Sequence, residues 1–302
     1  PAAAMILAFA WIELVWSGRE APSSLAIAAL IYAAVMLVGM SCFGAEKWCR
    51  NADGFGVAFS LFALLAPLDW KDRRCRLRAP LVGALQMPQV AGSAAVVCVL
   101  IGSTSFDGFS QGNVWTGASG LAQQLSDLFA ALGFATGTAV EAAYTVGLLL
   151  VVGVIGGLYW LAVVGMNRSG AGKPPTTELA RSFAHTLIPI ALAYVVAHYF
   201  SLFVFQGQAT IFLISDPLGD GSDIFGTSQS AINYSILSAN LIWYTQVAAL
   251  VIGHVAALVL AHDRALETWA DPRVAIRSQY WMLLVMVAFT CMGLWFLSAA
   301  AS

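Results

Sequence analysis

Long runs of apolar residues recur along almost the whole chain. A helix that crosses the hydrocarbon core of a bilayer needs about 20 mostly apolar residues. Seven runs approach or exceed that length: residues 1–17, 24–44, 89–107, 139–166, 180–206, 230–262 and 278–300. The pattern therefore predicts an all-α fold, a polytopic transmembrane helix bundle of about seven spans.

Two shorter segments predict helices that lie along the membrane surface. Residues 54–68 are apolar but short, and a basic stretch follows them. Residues 117–134 repeat apolar positions at helical spacing with polar residues between them. Both patterns are typical of interfacial amphipathic helices.

No low-complexity linker or long repeat divides the chain, so we expect a single transmembrane helical domain over residues 1–302. Pro1 lies inside the first apolar run, with neither an initiator Met nor a basic stretch before it. A secretory signal peptide begins with a basic region. We therefore expect this chain to be the C-terminal part of a longer protein.

Composition supports a membrane location and excludes an ordinary soluble domain. Hydrophobic residues make up 60% of the chain and charged residues only 10%, whereas soluble domains carry about 25% charged residues. The net charge of −2 gives no electrostatic reason to bind nucleic acid. The expected partner is the lipid bilayer, with other membrane subunits as an open alternative and no nucleic acid.

Positive charge divides the loops between the two sides of the predicted membrane. Almost all Lys and Arg residues lie in or beside three loops that share one side if seven helices cross the bilayer: 45–80, 167–179 and 263–277. Arg19 alone falls on the other side. Since Lys and Arg stay in the cytoplasm, we expect an inner (plasma) membrane protein with these loops cytoplasmic. The segments 107–138 and 207–229 are then extracytoplasmic.

All four histidines lie in two neighbouring predicted spans, where ionisable side chains are costly and usually functional. The fifth run carries His185 and His198, and the sixth carries His254 and His262. The two helices are antiparallel, and a helix rises about 1.5 Å per residue. His185 and His262 are therefore expected near the cytoplasmic interface, and His198 and His254 deeper in the membrane.

The spacing of the histidines argues against two stacked haems. His185 and His198 are about 140° apart around an ideal helix, and His254 and His262 about 80° apart. Two haems would need both histidines of each helix on one face. We therefore interpret His185 and His262 as candidates for binding a haem or a quinone, or as interfacial anchors. A divalent metal at His198 and His254 is a more favourable expectation than a b-type haem, and the cofactor stays open.

Two carboxylates lie in the same outer half of the predicted bundle as the deeper histidines. Glu13 is flanked by apolar residues in the first run, and Asp107 ends the third. Together with His198 and His254 they are the predicted catalytic residues, as metal ligands or as acid and base around a bound water. The alternatives are that Asp107 caps a helix and that each histidine hydrogen-bonds a neighbouring helix.

The outward segment 207–229 is rich in Gly, Ser and Asp. Asp216, Asp220 and Asp223 could bind Ca²⁺, but their spacing lacks the EF-hand pattern. We expect a turn-dense lid over the outer mouth of the bundle.

Six stretches carry a further signal: WIELVWSGREAPSSLAIAALIYA, FDGFSQGNVW, SFAHTLIPIALAYVVAHYFSLFVFQGQ, ISDPLGDGSDIFGT, GHVAALVLAHDRALE and RSQYWMLLVMVAFT. Together they resemble a family of polytopic bacterial membrane proteins often labelled fenitrothion hydrolase, an organophosphate-hydrolysing activity. The resemblance covers most of the chain, and the two histidine-bearing stretches are its most specific part. It implies a membrane fold and suggests a hydrolytic activity, and it transfers no catalytic residues.

The expected activity is hydrolysis of an apolar ester or phosphoester near the outer leaflet, assisted by a metal. Such a reaction needs an activated water and a Lewis acid. The chain contains no H-E-x-x-H or G-x-S-x-G motif, so the site would be assembled across helices. Three alternatives stay open: a haem- or quinone-associated redox subunit, a proton or solute transporter, and a structural subunit of a larger membrane complex.

Overall fold

The computed structural model describes residues 1–71, 74–170 and 174–300. Arg73 and Lys173, two basic residues of the predicted cytoplasmic loops, lie outside these ranges. The α-helices in chain order are α1 (Ala2–Leu14), α2 (Pro22–Phe43), α3 (Ala45–Asn51), α4 (Gly54–Ala63), α5 (Ser93–Ser110), α6 (Asn113–Thr116), α7 (Leu121–Ala131), α8 (Thr136–Ser169), α9 (Thr176–Phe183), α10 (Ile188–Gln206), α11 (Ala209–Ser215), α12 (Ala239–Thr268) and α13 (Pro272–Ala300). Two 3₁₀ turns, Ala84–Gln86 and Ala184–Leu187, and two short strands, β1 (Leu68–Lys71) and β2 (Arg74–Leu77), complete the described elements.

The predicted all-α membrane fold is confirmed. Within the described ranges, six helical segments are long and apolar enough to cross a bilayer: Pro22–Phe43, Ser93–Ser110, Thr136–Ser169, Thr176–Gln206, Ala239–Thr268 and Pro272–Trp295. Each coincides with one of the predicted apolar runs, and most of the ends differ by a few residues. Helix Ala239–Thr268 begins later than the predicted run 230–262, and Pro272–Trp295 begins earlier than the predicted run 278–300. The chain is a multi-pass helical membrane protein.

The first apolar run differs from its prediction as a full span. It forms α1, a helix of 13 residues, which is about 20 Å long against about 30 Å of hydrocarbon. The helix ends at Leu14, and a turn follows it. Trp11 nevertheless ties it into the bundle, because its indole Nε1 donates a 2.9 Å hydrogen bond to Thr145 Oγ1 of α8.

Five long helices form a closed ring in the order α5, α8, α13, α12, α10, in which each helix packs against the next and α10 returns to α5. Small residues allow these contacts: Gly102 of α5 lies against Val152 of α8, and Gly165 of α8 lies against Trp281 of α13. The largest fully buried side chains include Phe106, Ile155, Met166, Ile188 and Leu260. These residues fill the interior between the helices.

The contacts within the ring place the basic loops at one end, which we call the basic end. Gly170, which follows α8, packs against Trp269, which follows α12. The two connections that precede α9 and α13 therefore lie side by side. The loop before α5 lies at the same end, because Gly102 of α5 pairs with Val152 and Phe106 with Gly147, so α5 and α8 are antiparallel.

Both predicted surface helices form, and the long basic loop contains a hairpin that the sequence analysis missed. Segment 54–68 yields α4, and segment 117–134 yields α7, in which none of the residues is buried. Strands β1 and β2 pair antiparallel with Leu68 opposite Leu77 and Trp70 opposite Cys75. Four-residue strands carry too few positions for their period-two alternation to be distinguished from a loop.

Helix α2 lies at the edge of the fold and presents apolar side chains outward. It packs mainly against α3, and Leu30 is 70% exposed and Leu37 62% exposed. Such a surface is stable only against hydrocarbon or another apolar surface. The helix therefore supports the expected contact with lipid.

The close approach of α10 and α12 generates a stability prediction. A Cβ at Gly253 would lie 2.4 Å from Ala193 Cβ and 2.8 Å from Pro189 O. Gly253→Val should therefore force the helices apart and destabilise the fold by about 1–3 kcal/mol. Thermal unfolding in detergent measures this effect as a lowered Tm.

The control is Gly156→Val on α8, where an added Cβ meets nothing within 4 Å. Equal Tm values for the two variants would contradict the tight α10–α12 contact.

Candidate functional site

Asp107 and His198 form a hydrogen-bonded pair between two neighbouring helices of the ring. Asp107 lies near the end of α5, and its Oδ2 is 3.1 Å from Nδ1 of His198 on α10. A carboxylate only accepts hydrogen bonds, so Nδ1 carries the proton. The other ring nitrogen, Nε2, then holds a lone pair in the neutral imidazole and is available as a base. The pair brings together two of the predicted catalytic residues, one from α5 and one from α10.

This pair lies on the wall of a cavity of about 190 Å³, which we call the Asp107–His198 cavity. Such a volume has room for on the order of ten waters or a small organic group. Helices α5, α10, α12 and α13 and the turn after α5 contribute its lining: Thr104, Ser105, Asp107, Gly108, Gln111, Tyr194, Ala197, His198, Gln246, Leu250 and Gly293. The cavity lies toward the end of the bundle opposite the basic end.

Glu13 joins the same region indirectly, through a tyrosine. The hydroxyl of Tyr199 donates a 3.0 Å hydrogen bond to Glu13 Oε1, and the Tyr199 ring packs edge-on against His198 with centroids 4.3 Å apart. Glu13 does not line the Asp107–His198 cavity. The intramembrane carboxylate of Glu13 thus has Tyr199, the residue after His198, as its hydrogen-bond partner.

His254 lies apart from the Asp107–His198 pair, next to Tyr194 and outside the lining of the cavity. It is 6% exposed, and its Nδ1 donates to the carbonyl of Leu250 at 2.7 Å. Its ring centroid is 6.4 Å from that of Tyr194, and Tyr194, unlike His254, lines the cavity. His198 therefore lines the cavity, whereas His254 contacts a residue of its wall from outside it.

The described residues do not fit the predicted metal centre. Among residues 1–71, 74–170 and 174–300, no group of three or more His, Cys, Asp or Glu side chains could hold a metal ion. His198 directs Nδ1 to Asp107, Glu13 accepts from Tyr199, and His254 directs Nδ1 to the Leu250 carbonyl. Sequence depth alone placed these residues at one level, whereas the helix faces direct them to different partners.

His185 and His262, the predicted cofactor-binding residues, also have different hydrogen-bond partners in different parts of the bundle. His185 lies in the 3₁₀ turn Ala184–Leu187, is 2% exposed, and donates from Nδ1 to Ser182 O at 2.8 Å. His262 is exposed on α12 and pairs with Gln279 Oε1 of α13 at 3.0 Å. The cavity beside His262 is lined by residues of α12 and α13 and does not include His185. The 3₁₀ turn changes the helical phase, which a sequence analysis based on ideal helices cannot anticipate.

Two residues that line the cavity were not among the predicted site residues. Gln246 of α12 donates from Nε2 to Ala197 O at 2.8 Å, and Ala197 is the residue before His198. Tyr194 was not singled out, although it lies four residues before His198 and therefore on the same helix face. That spacing is the signal that could have identified it.

The Asp-rich segment forms its own hydrogen-bonded loop. Asp216 accepts from the backbone N–H groups of Asp220 and Gly221, and Asp223 accepts from the Ser215 hydroxyl and the Ser228 N–H. None of the residues that line the Asp107–His198 cavity belongs to this loop. The expected role as a lid therefore stays a prediction.

Hydrogen bonds also set the charge state of the loop. The Ser222 hydroxyl and then its backbone N–H lower the pKa of Asp220. The Ser215 hydroxyl and then the Ser228 N–H lower the pKa of Asp223. The loop is thus built around ionised carboxylates at neutral pH.

Comparisons of the chain with protein-family models, with curated proteins and with solved structures find no match. The fold and its apolar helices define the class of the molecule, a polytopic α-helical membrane protein. Its site residues have to be judged on their own geometry.

The Ser215 contacts generate a prediction about the loop. Ser215 is fully buried and bonds Asp223 and the Phe225 N–H, so Ser215→Ala should loosen residues 216–228 and speed their cleavage in limited proteolysis. Exposed Ser230→Ala is the matched control. Because the carboxyl pKa values are lowered in the folded loop, the protection should be present above the ordinary Asp pKa and be lost as the pH falls through the lowered values. Protection that is unchanged in the Ser215 variant, or that persists in acid, would contradict this role.

Proposed function

We propose that this protein is a membrane-embedded hydrolase of a small apolar ester, with His198 as general base and Asp107 as the group that orients it. The observation that carries the proposal is the 3.1 Å contact between His198 Nδ1 and Asp107 Oδ2 on the wall of a cavity. A carboxylate that holds one imidazole nitrogen leaves the other free to take a proton from water. The resemblance to organophosphate-hydrolysing membrane proteins supports the class of substrate.

The reaction needs one proton to move to His198 and back. Nε2 removes a proton from a water in the cavity, and the resulting hydroxide adds to the carbonyl or phosphoryl centre of the ester. Asp107 stabilises the imidazolium that forms, since opposite charges at this distance attract strongly in a medium of low dielectric constant. Nε2–H then returns the proton to the leaving alkoxide or phenoxide, which restores the neutral imidazole.

Gln111 is the proposed donor to the oxyanion. It lines the cavity at the turn after α5 and is exposed. A side-chain amide has two N–H donors, and donors aimed at a developing oxyanion make large contributions to catalysis. Gln246, by contrast, already donates to Ala197 O, which favours a structural role for it.

We further infer that the basic end faces the cytoplasm of a cell whose inner membrane holds the protein. The support is the clustering of Lys and Arg in loops that the ring contacts place side by side. The Asp107–His198 cavity then opens toward the outer leaflet. An apolar ester dissolved in that leaflet would reach His198 without crossing the membrane.

Labelling of cysteines from outside tests the orientation. Cys42, Cys49 and Cys75 lie toward the basic end, and Cys98 is buried. Cys291 is an exposed cysteine of α13, so both test proteins carry Cys291→Ser. In right-side-out vesicles, a membrane-impermeant maleimide should leave the Cys291→Ser chain unlabelled and should label the same chain with Ser222→Cys added. Permeabilisation should expose Cys75 as well. Labelling of Cys75 in intact vesicles, with Ser222→Cys labelled only after permeabilisation, would reverse the assignment.

Ester hydrolysis by purified protein in lipid nanodiscs tests the reaction. The probes are 4-nitrophenyl butyrate and diethyl 4-nitrophenyl phosphate, whose release of nitrophenolate is read by absorbance. Because a general base contributes roughly 10²–10⁴-fold, His198→Ala should lower kcat/KM by about that factor. Asp107→Asn should also lose most of the activity, since the amide N–H₂ group would favour the wrong imidazole tautomer.

His262→Ala is the matched control, since it removes an imidazole outside the cavity and should keep wild-type activity. Wild-type hydrolysis no faster than in empty nanodiscs would overturn the proposal for these ester classes. Equal loss in the His198 and His262 variants would show that the activity does not come from this site.

A further inference from the structure

The hairpin of strands β1 and β2 carries a continuous apolar surface on one of its two faces. In its antiparallel register Leu68 lies opposite Leu77, and Trp70 lies opposite Cys75. Residues directly opposite each other, and residues two apart in one strand, share a face of the sheet. These four side chains therefore form one surface, which we call the hairpin apolar face.

The opposite face of the hairpin is charged. Asp69 lies opposite Arg76, and Arg74 and Arg78, two residues to either side of Arg76, share its face. An ion pair of 3.8 Å between Arg78 and Asp69 agrees with this arrangement. Between residues 68 and 78 the sequence has five basic and two acidic residues. The hairpin is therefore an amphipathic element with a net positive charge at neutral pH.

The hairpin apolar face is open to its surroundings. Leu68 is 57% exposed, Trp70 74% and Leu77 84%, and Cys75 is an exposed free thiol. An isolated two-stranded hairpin is at best marginally stable in water. Contact with an apolar phase would remove these side chains from water and would thereby stabilise the paired strands.

The base of the hairpin is fixed to the helix bundle. The Arg78 guanidinium donates hydrogen bonds to the carbonyl oxygens of Ala63, the last residue of α4, and of Ala66. Basic side chains commonly pair with the last carbonyls of a helix in this way. Gly83 lies against the Leu64 carbonyl, so the chain returns to α4 directly after the hairpin. The hairpin is thus held beside the end of α4 and not on a long tether.

The position of the hairpin brings it close to one surface of the membrane. It belongs to the loop before α5, which lies at the basic end of the bundle. The 3₁₀ turn Ala84–Gln86, which follows the hairpin, packs against the 3₁₀ turn Ala184–Leu187, which precedes α10. Both α5 and α10 belong to membrane-spanning segments. The hairpin therefore lies near the level of the lipid headgroups at the basic end.

We propose that the hairpin docks on the lipid leaflet at the basic end, with its apolar face in the membrane and its arginines on anionic phospholipid headgroups. Amphipathic elements with Trp and Leu on one face and Lys or Arg on the other lie in the membrane interface in this way. Arg74 and Arg76 are exposed, and their long side chains can reach phosphate groups beside the hairpin. A guanidinium can form two parallel hydrogen bonds with a phosphate.

Charge favours an anionic leaflet over a second copy of this chain as the occupant. Two copies joined through their hairpin apolar faces would bring two cationic segments together, whereas an anionic leaflet attracts each Lys or Arg near its surface. Trp70 is also of the residue type that is enriched at membrane interfaces. The short side chain of Cys75 stays at headgroup level, so docking slows its reaction with water-soluble reagents without preventing it.

A fluorophore on Cys75 tests the proposal. In the full chain Cys42, Cys49 and Cys291 are replaced by Ser, buried Cys98 is kept, and Cys75 carries the environment-sensitive dye NBD. The protein is reconstituted into phosphatidylcholine vesicles with or without phosphatidylglycerol. Docking should shift the emission to shorter wavelength and allow quenching by a nitroxide-labelled phosphatidylcholine, and both signals should be stronger in the anionic vesicles. Raising the salt from about 0.1 M to 1 M shortens the Debye length from about 10 Å to about 3 Å and should weaken both.

Variants of the two faces, each with a matched control, separate the roles of charge and apolar contact. Arg74→Gln should lower the ratio of docked to undocked hairpin about fivefold in anionic vesicles, since each Arg near such a surface contributes about that factor. Leu77→Ser should reduce quenching in both kinds of vesicle. Lys47→Gln removes a positive charge from α3, and Leu218→Ser removes a leucine that is 84% exposed, as Leu77 is. Both controls should dock as the parent protein does.

A fluorophore on Cys75 that the lipid nitroxide does not quench in anionic vesicles would overturn the proposal. Blue-shifted emission without such quenching would instead show that protein covers this face. Equal quenching in neutral and anionic vesicles, unchanged by Arg74→Gln, would remove the anionic headgroup from the interaction and so would also contradict the proposal. The vesicles contain no ester, so these results are independent of the hydrolysis test.

Discussion

Hydrocarbon offers no hydrogen-bond partner, so a chain inside the bilayer has to pair its own polar groups. Helices satisfy the backbone, which explains why nearly every long apolar run of this chain is helical. For the same reason, each carboxylate or imidazole inside the membrane needs a partner within the protein. Here Asp107 pairs with His198, Glu13 with Tyr199, and the buried histidines with backbone carbonyls.

The ring of five helices converts these separate pairings into a spatial arrangement. Because α10 packs between α5 and α12, residues on its successive turns face both neighbours. His198 meets α5 at Asp107, and one turn earlier Tyr194 meets α12 at His254. Close helix contacts at Gly102 and Gly253 make these approaches possible. The small residues that let the helices approach closely therefore also bring the ionisable side chains of neighbouring helices together.

A common tautomer gives the histidines related capabilities. In His198, His254 and His185 the Nδ1 atom faces an oxygen acceptor, a carboxylate in the first and carbonyls in the other two. Each therefore offers Nε2 as a base. His198 does so on the wall of a cavity, which is why acid–base chemistry is proposed there, whereas the other two lie in the buried core.

The sequence by itself determined the membrane class, because about 20 apolar residues in succession have no stable place in water and must pair their backbone within one helix. It also identified Asp107, His198, Glu13 and His254 as costly groups in lipid. Tertiary structure alone decided which of them meet. One residue changes the direction of a helical side chain by about 100°, so equal depth in the bilayer did not bring His254 to His198 or assemble a metal site. The short α1, the β hairpin and the 3₁₀ turn at His185 likewise depend on local packing that apolar periodicity does not encode.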